Sequence, residues 1–119
     1  MILRALALAL LVATPVVAQE GFVSASGATL RALDKVNGRT EDEDLLSGGG
    51  RALMGLEVEL GDCRYPANNP TGEAYAFLTI REKGKTDILF QGWMVATSPA
   101  LNPLDHSRYD VWVLRCMTS

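Results

Sequence analysis

Beyond residue 18 the chain never sustains a helical period, and its apolar residues fall in short runs broken by Gly, Pro and Asn. Leu56-Glu57-Val58-Glu59-Leu60 alternates strictly. Successive side chains of an extended chain point to opposite sides, so this run reads as a strand with one wet face. Thr29 to Val36 leads into Asn37-Gly38, a hairpin signal, because a type I′ turn needs positive φ at both central residues and Asn and Gly tolerate it. Arg39 to Leu46 then returns antiparallel, and Ser47-Gly48-Gly49-Gly50 can only be a loop. Tyr65 to Gly72 carries Pro66 and Pro70 among Asn and Gly and reads as a second loop. Glu73 to Arg81 is apolar on both faces, which marks a central strand. Lys83-Gly84-Lys85 turns the chain, Thr86 to Met94 returns, and Tyr109 to Cys116 is the last strand. Ser98-Pro99 and Asn102-Pro103 each set an N-cap residue before Pro, so short helical turns are the most that segment can form. The expectation over residues 28–119 is a single small all-β domain. It would be an antiparallel β-sandwich or partly closed barrel of about seven or eight strands, with one ordered loop bearing short helical turns.

Residues 1–18 read differently. Arg4 supplies a positive start, Ala5 to Ala13 is unbroken apolar chain, Pro15 breaks it, and Val16-Val17-Ala18 precedes Gln19. That is the pattern of a cleaved signal peptide, with cleavage after Ala18. The stretch is shorter than the ~20 residues needed to span a bilayer, and no Cys follows the site to carry a lipid. A periplasmic protein with no transmembrane span in its mature chain is expected, with residues 19–27 a flexible Gly/Ser/Ala-rich arm. Of the 11 basic residues Arg4 leaves with the signal, so ten face 14 acidic ones, a net charge of −4. Such a balance argues against nucleic acid and anionic membrane surfaces as partners.

Cys63 and Cys116 both fall in the exported part. In an oxidising compartment two thiols in one small domain pair, and they lack the spacing of a redox motif or the ligand number of a zinc site. Parity constrains that bridge. In a regular strand Cys63 would point outward with Glu57 and Glu59, while Cys116 would share a face with Trp112 and Leu114. One extra residue is therefore needed, and a β-bulge at Gly61 supplies it.

The remaining chemistry is sparse. His106 lies between Asp105 and Ser107, but three sequence neighbours cannot form a catalytic relay, and one imidazole is not a metal site. Glu41-Asp42-Glu43-Asp44 lacks the ligand spacing of a calcium loop; alternation on a strand lets at most two acids converge, so a solvated edge strand is expected. Gly48-Gly49-Gly50 has no following helix or Lys-Ser/Thr pair with which to cradle phosphate. No catalytic, metal or cofactor-binding residue is assigned.

The C-terminal run Gly92-Trp93-Met94, Ala96-Thr97-Ser98-Pro99-Ala100-Leu101, Leu104-Asp105-His106 and Tyr109-Asp110-Val111-Trp112-Val113-Leu114-Arg115-Cys116 resembles exported bacterial proteins grouped as domain of unknown function 2155. So do Ala28 to Val36, Gly38-Arg39-Thr40 and Cys63-Arg64-Tyr65-Pro66. The resemblance covers nearly the whole mature chain. It implies an exported, disulfide-linked β domain without established activity. It also implies genes that neighbour one for an accessory subunit of respiratory complex I, and so work on the periplasmic side of a membrane assembly.

The functional expectation is a non-enzymatic interaction or structural domain that meets a periplasmic protein. A small-ligand or glycan-binding module using Tyr75, Trp93 and Tyr109 is the second reading, and a hydrolase the third. The segment from Trp93 to Tyr109 is long for a loop in so small a domain, and it is expected to be an ordered lid. Leu101 and Leu104 would anchor it, and Trp93, Asn102, Asp105, His106, Arg108 and Tyr109 would form the partner surface.

Overall fold

The computed structural model describes residues 21–118. The signal peptide over 1–18, its cleavage point and Gln19 lie outside the described residues. Eight strands follow in order: β1 (Phe22–Ser24), β2 (Gly27–Asp34), β3 (Thr40–Leu46), β4 (Gly50–Leu53), β5 (Leu56–Pro66), β6 (Tyr75–Glu82), β7 (Ile88–Val95) and β8 (Tyr109–Met117), with one 3-10 turn at Pro99–Leu101. Among the described residues no helix is long and apolar enough to cross a membrane.

All strands pair antiparallel, in two sheets. In the five-stranded sheet β5 is flanked by β6, with β7 outside it, while β1 and β4 lie end to end along the other edge of β5. The second sheet has the order β3-β2-β8. Leu56, Val58, Leu60, Cys63, Ala76, Leu78, Ile80, Phe90 and Met94 of the first sheet are buried with Ala28, Leu30, Ala32, Val111, Val113 and Cys116 of the second. This is the β-sandwich that the short alternating runs imply, with inner faces interdigitating and outer faces left to water. As expected, β6 is central and the acidic run lies on β3, an edge strand. There Asp42 takes a bidentate pair from Arg31 and Glu43 meets Arg51 at 3.3 Å.

The bulge falls where parity requires it. The β5–β6 register shifts between Leu60 and Asp62, leaving Gly61 as the extra residue, and Cys63 turns into the core. A second bulge does the same for its partner. The β2–β8 register skips Leu114, so Cys116 lies on the inner face as the bridge requires, but shares it with Val111 and Val113 in place of the expected Trp112 and Leu114. The Cys63–Cys116 bridge, Cα–Cα 5.7 Å, ties the two sheets together.

Four other local readings change. The β2–β3 connection spans the five residues 35–39, with Gly38 N–H bonded to the Asp34 carbonyl, and of these only Gly38 has positive φ, at 76°. The Asp34 carboxylate takes the Val36 N–H and the Asn37 side chain takes the Arg39 N–H, and these side-chain acceptors favour the wider turn over type I′. The expected flexible arm is partly strand: Phe22–Ser24 pairs with Arg64–Pro66, which also carries β5 through Pro66 into the expected loop. Gly50–Leu53 forms a further strand, turning at Met54-Gly55 with Met54 at φ 53°. A side chain at Gly55 would collide with the Tyr109 ring, its Cβ 2.7 Å from the phenol oxygen.

Residues 96–108 run from the end of β7 back to the start of β8 as a strap along the open side of the sandwich. They leave Phe22 and Trp93 of the outer face exposed. Asn102 donates to the Trp93 carbonyl at 3.1 Å and occupies the space beside Gly92, so the strap shields the free edge of β7 at these two residues, where an unpaired strand would invite another chain. Leu104 is 4% exposed and anchors it; Leu101, expected as a second anchor, is 74% exposed.

Candidate functional site

The outer face of the five-stranded sheet carries an aromatic groove. Alternation along β6 sends Ala76, Leu78 and Ile80 inward and leaves Tyr75 and Phe77 outside; β7 presents Trp93 beside them and β1 presents Phe22. The bulge at Gly61 that turns Cys63 inward also turns Arg64 outward onto this face. Phe22 and Tyr75 meet edge to face at 5.4 Å, Phe77 and Trp93 at 5.3 Å, and the Arg64 guanidinium lies 4.9 Å over the Trp93 ring. Such contacts hold rings in fixed orientation, each worth ~0.5–1.5 kcal/mol. Phe22, Arg64, Tyr75 and Trp93 line a cleft of about 290 Å³. Arg64 also donates to Asp62 at 2.8 Å, and Ser24 donates to the same carboxylate oxygen. Its charge is thus answered within the site. Phe22 remains 58% exposed and Trp93 36%.

The residues expected to form the partner surface are split. Trp93 is in the groove. Asp105 is exposed to solvent. Asn102, His106 and Arg108, expected to face outward, are bonded within the fold. The His106 side chain is 12% exposed; its Nδ1 accepts the Arg108 and Tyr109 N–H groups at 3.0 and 3.1 Å, and its Nε2 lies 3.1 Å from Glu82. The network therefore assigns the ring proton to Nε2, donating to the carboxylate. Arg108 makes a forked contact to Asp34, whose side chain is 8% exposed, and stacks on Tyr109. Tyr109 itself packs toward Met54 and Gly55, away from the groove.

Three carboxylates clasp the strap, and each is more acidic than usual. The hydrogen bond from Arg108 holds Asp34 down; Lys85 and then His106 hold Glu82 down. Burial pushes Glu73 upward, but hydrogen bonds from the Thr97 side chain and from the Thr97 and Ala74 N–H groups outweigh it. These interactions explain the polar residues of the strap as structure. Both nitrogens of His106 are engaged, so it has no free base to offer a nucleophile. Among the described residues no group of three or more His, Cys, Asp and Glu could hold a metal ion.

Phe22 and Arg64 were absent from the sequence-based surface. The signal for Arg64 was present, since a bulge that brings Cys63 inward must send its neighbour outward. Phe22 offered none, because only pairing with the end of β5 orders it.

Fold and site together define a disulfide-stapled β-sandwich with an aromatic groove on one outer face. The chain belongs to the bacterial family described as uncharacterized protein conserved in bacteria (DUF2155), whose model matches residues 28–116. Phe22, one wall of the groove, lies outside the matched span. The chain is 27% identical over 99 residues to an uncharacterized protein of Rickettsia prowazekii (strain Madrid E), a match covering 80% of this chain and 63% of that relative. It thus spans less than two thirds of that relative's length. No solved structure matches it significantly.

Proposed function

We propose that the chain is a periplasmic, non-enzymatic interaction domain, and that its partner protein seats on the outer face of the five-stranded sheet. The observation that carries this reading is the groove of Phe22, Arg64, Tyr75 and Trp93, an apolar surface held rigid and left in water. The buried cystine between the sheets suits an oxidising compartment. A place beside a respiratory membrane assembly rests on the family resemblance alone. A small-ligand or glycan module, the second reading, would use the same Tyr75 and Trp93, without Tyr109.

Site-specific photocrosslinking in intact cells tests the assignment. A photoreactive residue at Phe22 is expected to give a discrete protein adduct. One at Val36, 72% exposed on the β2–β3 turn, is expected to give none. Adducts from position 36 alone would move the interface to the other sheet.

A further inference from the structure

We infer that the groove takes a proline-rich segment of the partner in the extended polyproline II conformation, an inference that rests on the interaction reading above. Three properties of the groove select this chemistry. The first is its hydrogen-bonding sense. Trp93 Nε1 is a donor only and Tyr75 Oη can donate, and among the described residues neither has a partner. A polyproline II chain makes no internal hydrogen bonds, so its carbonyls are free to accept, and its prolines bring no N–H that would need an acceptor.

The second property is charge. Among the described residues the one cation of the groove, Arg64, is already paired with Asp62 at 2.8 Å, so they offer no net charge to an ionic ligand. An uncharged, apolar, acceptor-rich chain is its complement. The third is the posture of the rings. A sugar ring stacks on an open aromatic face, yet Trp93 has Arg64 over one face and Phe77 tilted at 67° against it, while Tyr75 meets Phe22 at 90°. The rings line a cleft and present no open face to stack on. An aromatic-lined groove with donors on the polar tips of its rings is what pre-formed proline-rich segments dock into. Beyond Phe77 a second cleft of about 300 Å³ reaches Gly61 and the Gly48–Gly50 loop, and the segment can continue into it.

The test is a titration of the oxidised, ¹⁵N-labelled protein with decaproline, and in parallel with chitohexaose. The chain has two tryptophans, and loss of one indole N–H peak in Trp93→Phe assigns Trp93. Decaproline is expected to shift the Trp93 indole N–H saturably and leave that of Trp112 in place. Tyr75→Phe, which keeps the ring, is expected to weaken Kd about five-fold, the share of one ordinary hydrogen bond. No saturable shift with decaproline, or a shift with chitohexaose alone, overturns the proline-rich ligand. An unaltered Kd in Tyr75→Phe overturns it as well. The crosslink from position 22 separates the two levels: if it persists the groove remains the interface with another ligand chemistry, and if it is lost the interaction reading falls too.

Discussion

Residues 96–108 are rich in polar side chains, and most of those are engaged inside the protein; the outer faces of β6 and β7 are rich in aromatic rings, and leave them in water. The difference follows from what each group finds within reach. Thr97, Asn102, His106 and Arg108 lie opposite Glu73, the Trp93 carbonyl, Glu82 and Asp34, and each satisfies a hydrogen bond or a charge there. Satisfied polar groups are poor recognition elements, because a partner must first break what they already hold. Tyr75, Phe77 and Trp93 are placed outward by strand alternation, and among the described residues no second layer lies on that side to receive them. Their mutual edge-to-face contacts fix them without hiding them. Availability, more than residue type, separates a surface that holds the fold together from one that can meet a partner.

The largest expected effect breaks the frame both regions share. Cys63→Ser combined with Cys116→Ser removes the tie between the sheets and is expected to lower unfolding free energy by ~2–5 kcal/mol. Denaturation of the double variant against the oxidised parent measures it. An unchanged midpoint would mean that packing between the inner faces suffices.

The next effect separates anchor from ornament within the strap. Leu104→Ala should cost ~2–5 kcal/mol, as a buried leucine does, whereas Leu101→Ala should stay within about 0.5 kcal/mol. His106→Ala strands two backbone N–H groups and leaves Glu82 with Lys85 alone, and is expected to cost ~1–3 kcal/mol. Thermal melts of the three variants give the ranking. A His106→Ala protein as stable as the parent would return the imidazole to the list of free surface groups.

Much of the architecture was legible because strand alternation is a local property. The clean period of Leu56 to Leu60, the doubly apolar run through Phe77 and the need for a bulge at Gly61 all follow from two-residue periodicity and one covalent constraint. The bulge at Leu114 was not legible, since one bulge already reconciles the two cysteines and nothing local marks the second. Strand β1 is not legible because three residues beside a Gly/Ser-rich stretch carry no period of their own. The strap was read as ordered, but its polar residues were given to a partner. Their acceptors, Asp34, Glu73 and Glu82, lie more than 20 residues away in sequence. For the same reason the groove was half visible. Tyr75 and Trp93 stand out as aromatic and the bulge at Gly61 marks Arg64, while Phe22 joins them only through the pairing of β1 with the end of β5.

The smallest expected effect is acid sensitivity of the strap, and it sharpens the contrast with the groove. Asp34, Glu73 and Glu82 each have a folded-state pKa below their ordinary values of 3.8, 4.5 and 4.5. A depressed carboxylate pKa means that the unfolded chain binds the proton more readily than the folded one. Stability from these clasps is therefore fully present above the ordinary values and is lost as pH falls through the folded ones. The change is modest because Arg108, Lys85 and Glu82 are substantially exposed and water screens their pairs. It is also local. All three carboxylates hold the strap, at Thr97, His106 and Arg108, so acid should loosen residues 96–108 before it opens the sheets. Hydrogen exchange between about pH 5 and pH 3, corrected for the intrinsic rate, is expected to show falling protection at the Thr97, Arg108 and Tyr109 amides. Protection along β5 and β6 should hold. Glu82→Gln should flatten the response at Arg108 and Tyr109, because it leaves His106 an uncharged acceptor at every pH. Uniform loss across strap and sheets would show that the clasps belong to the cooperative core, and that the two regions differ less than their exposure suggests.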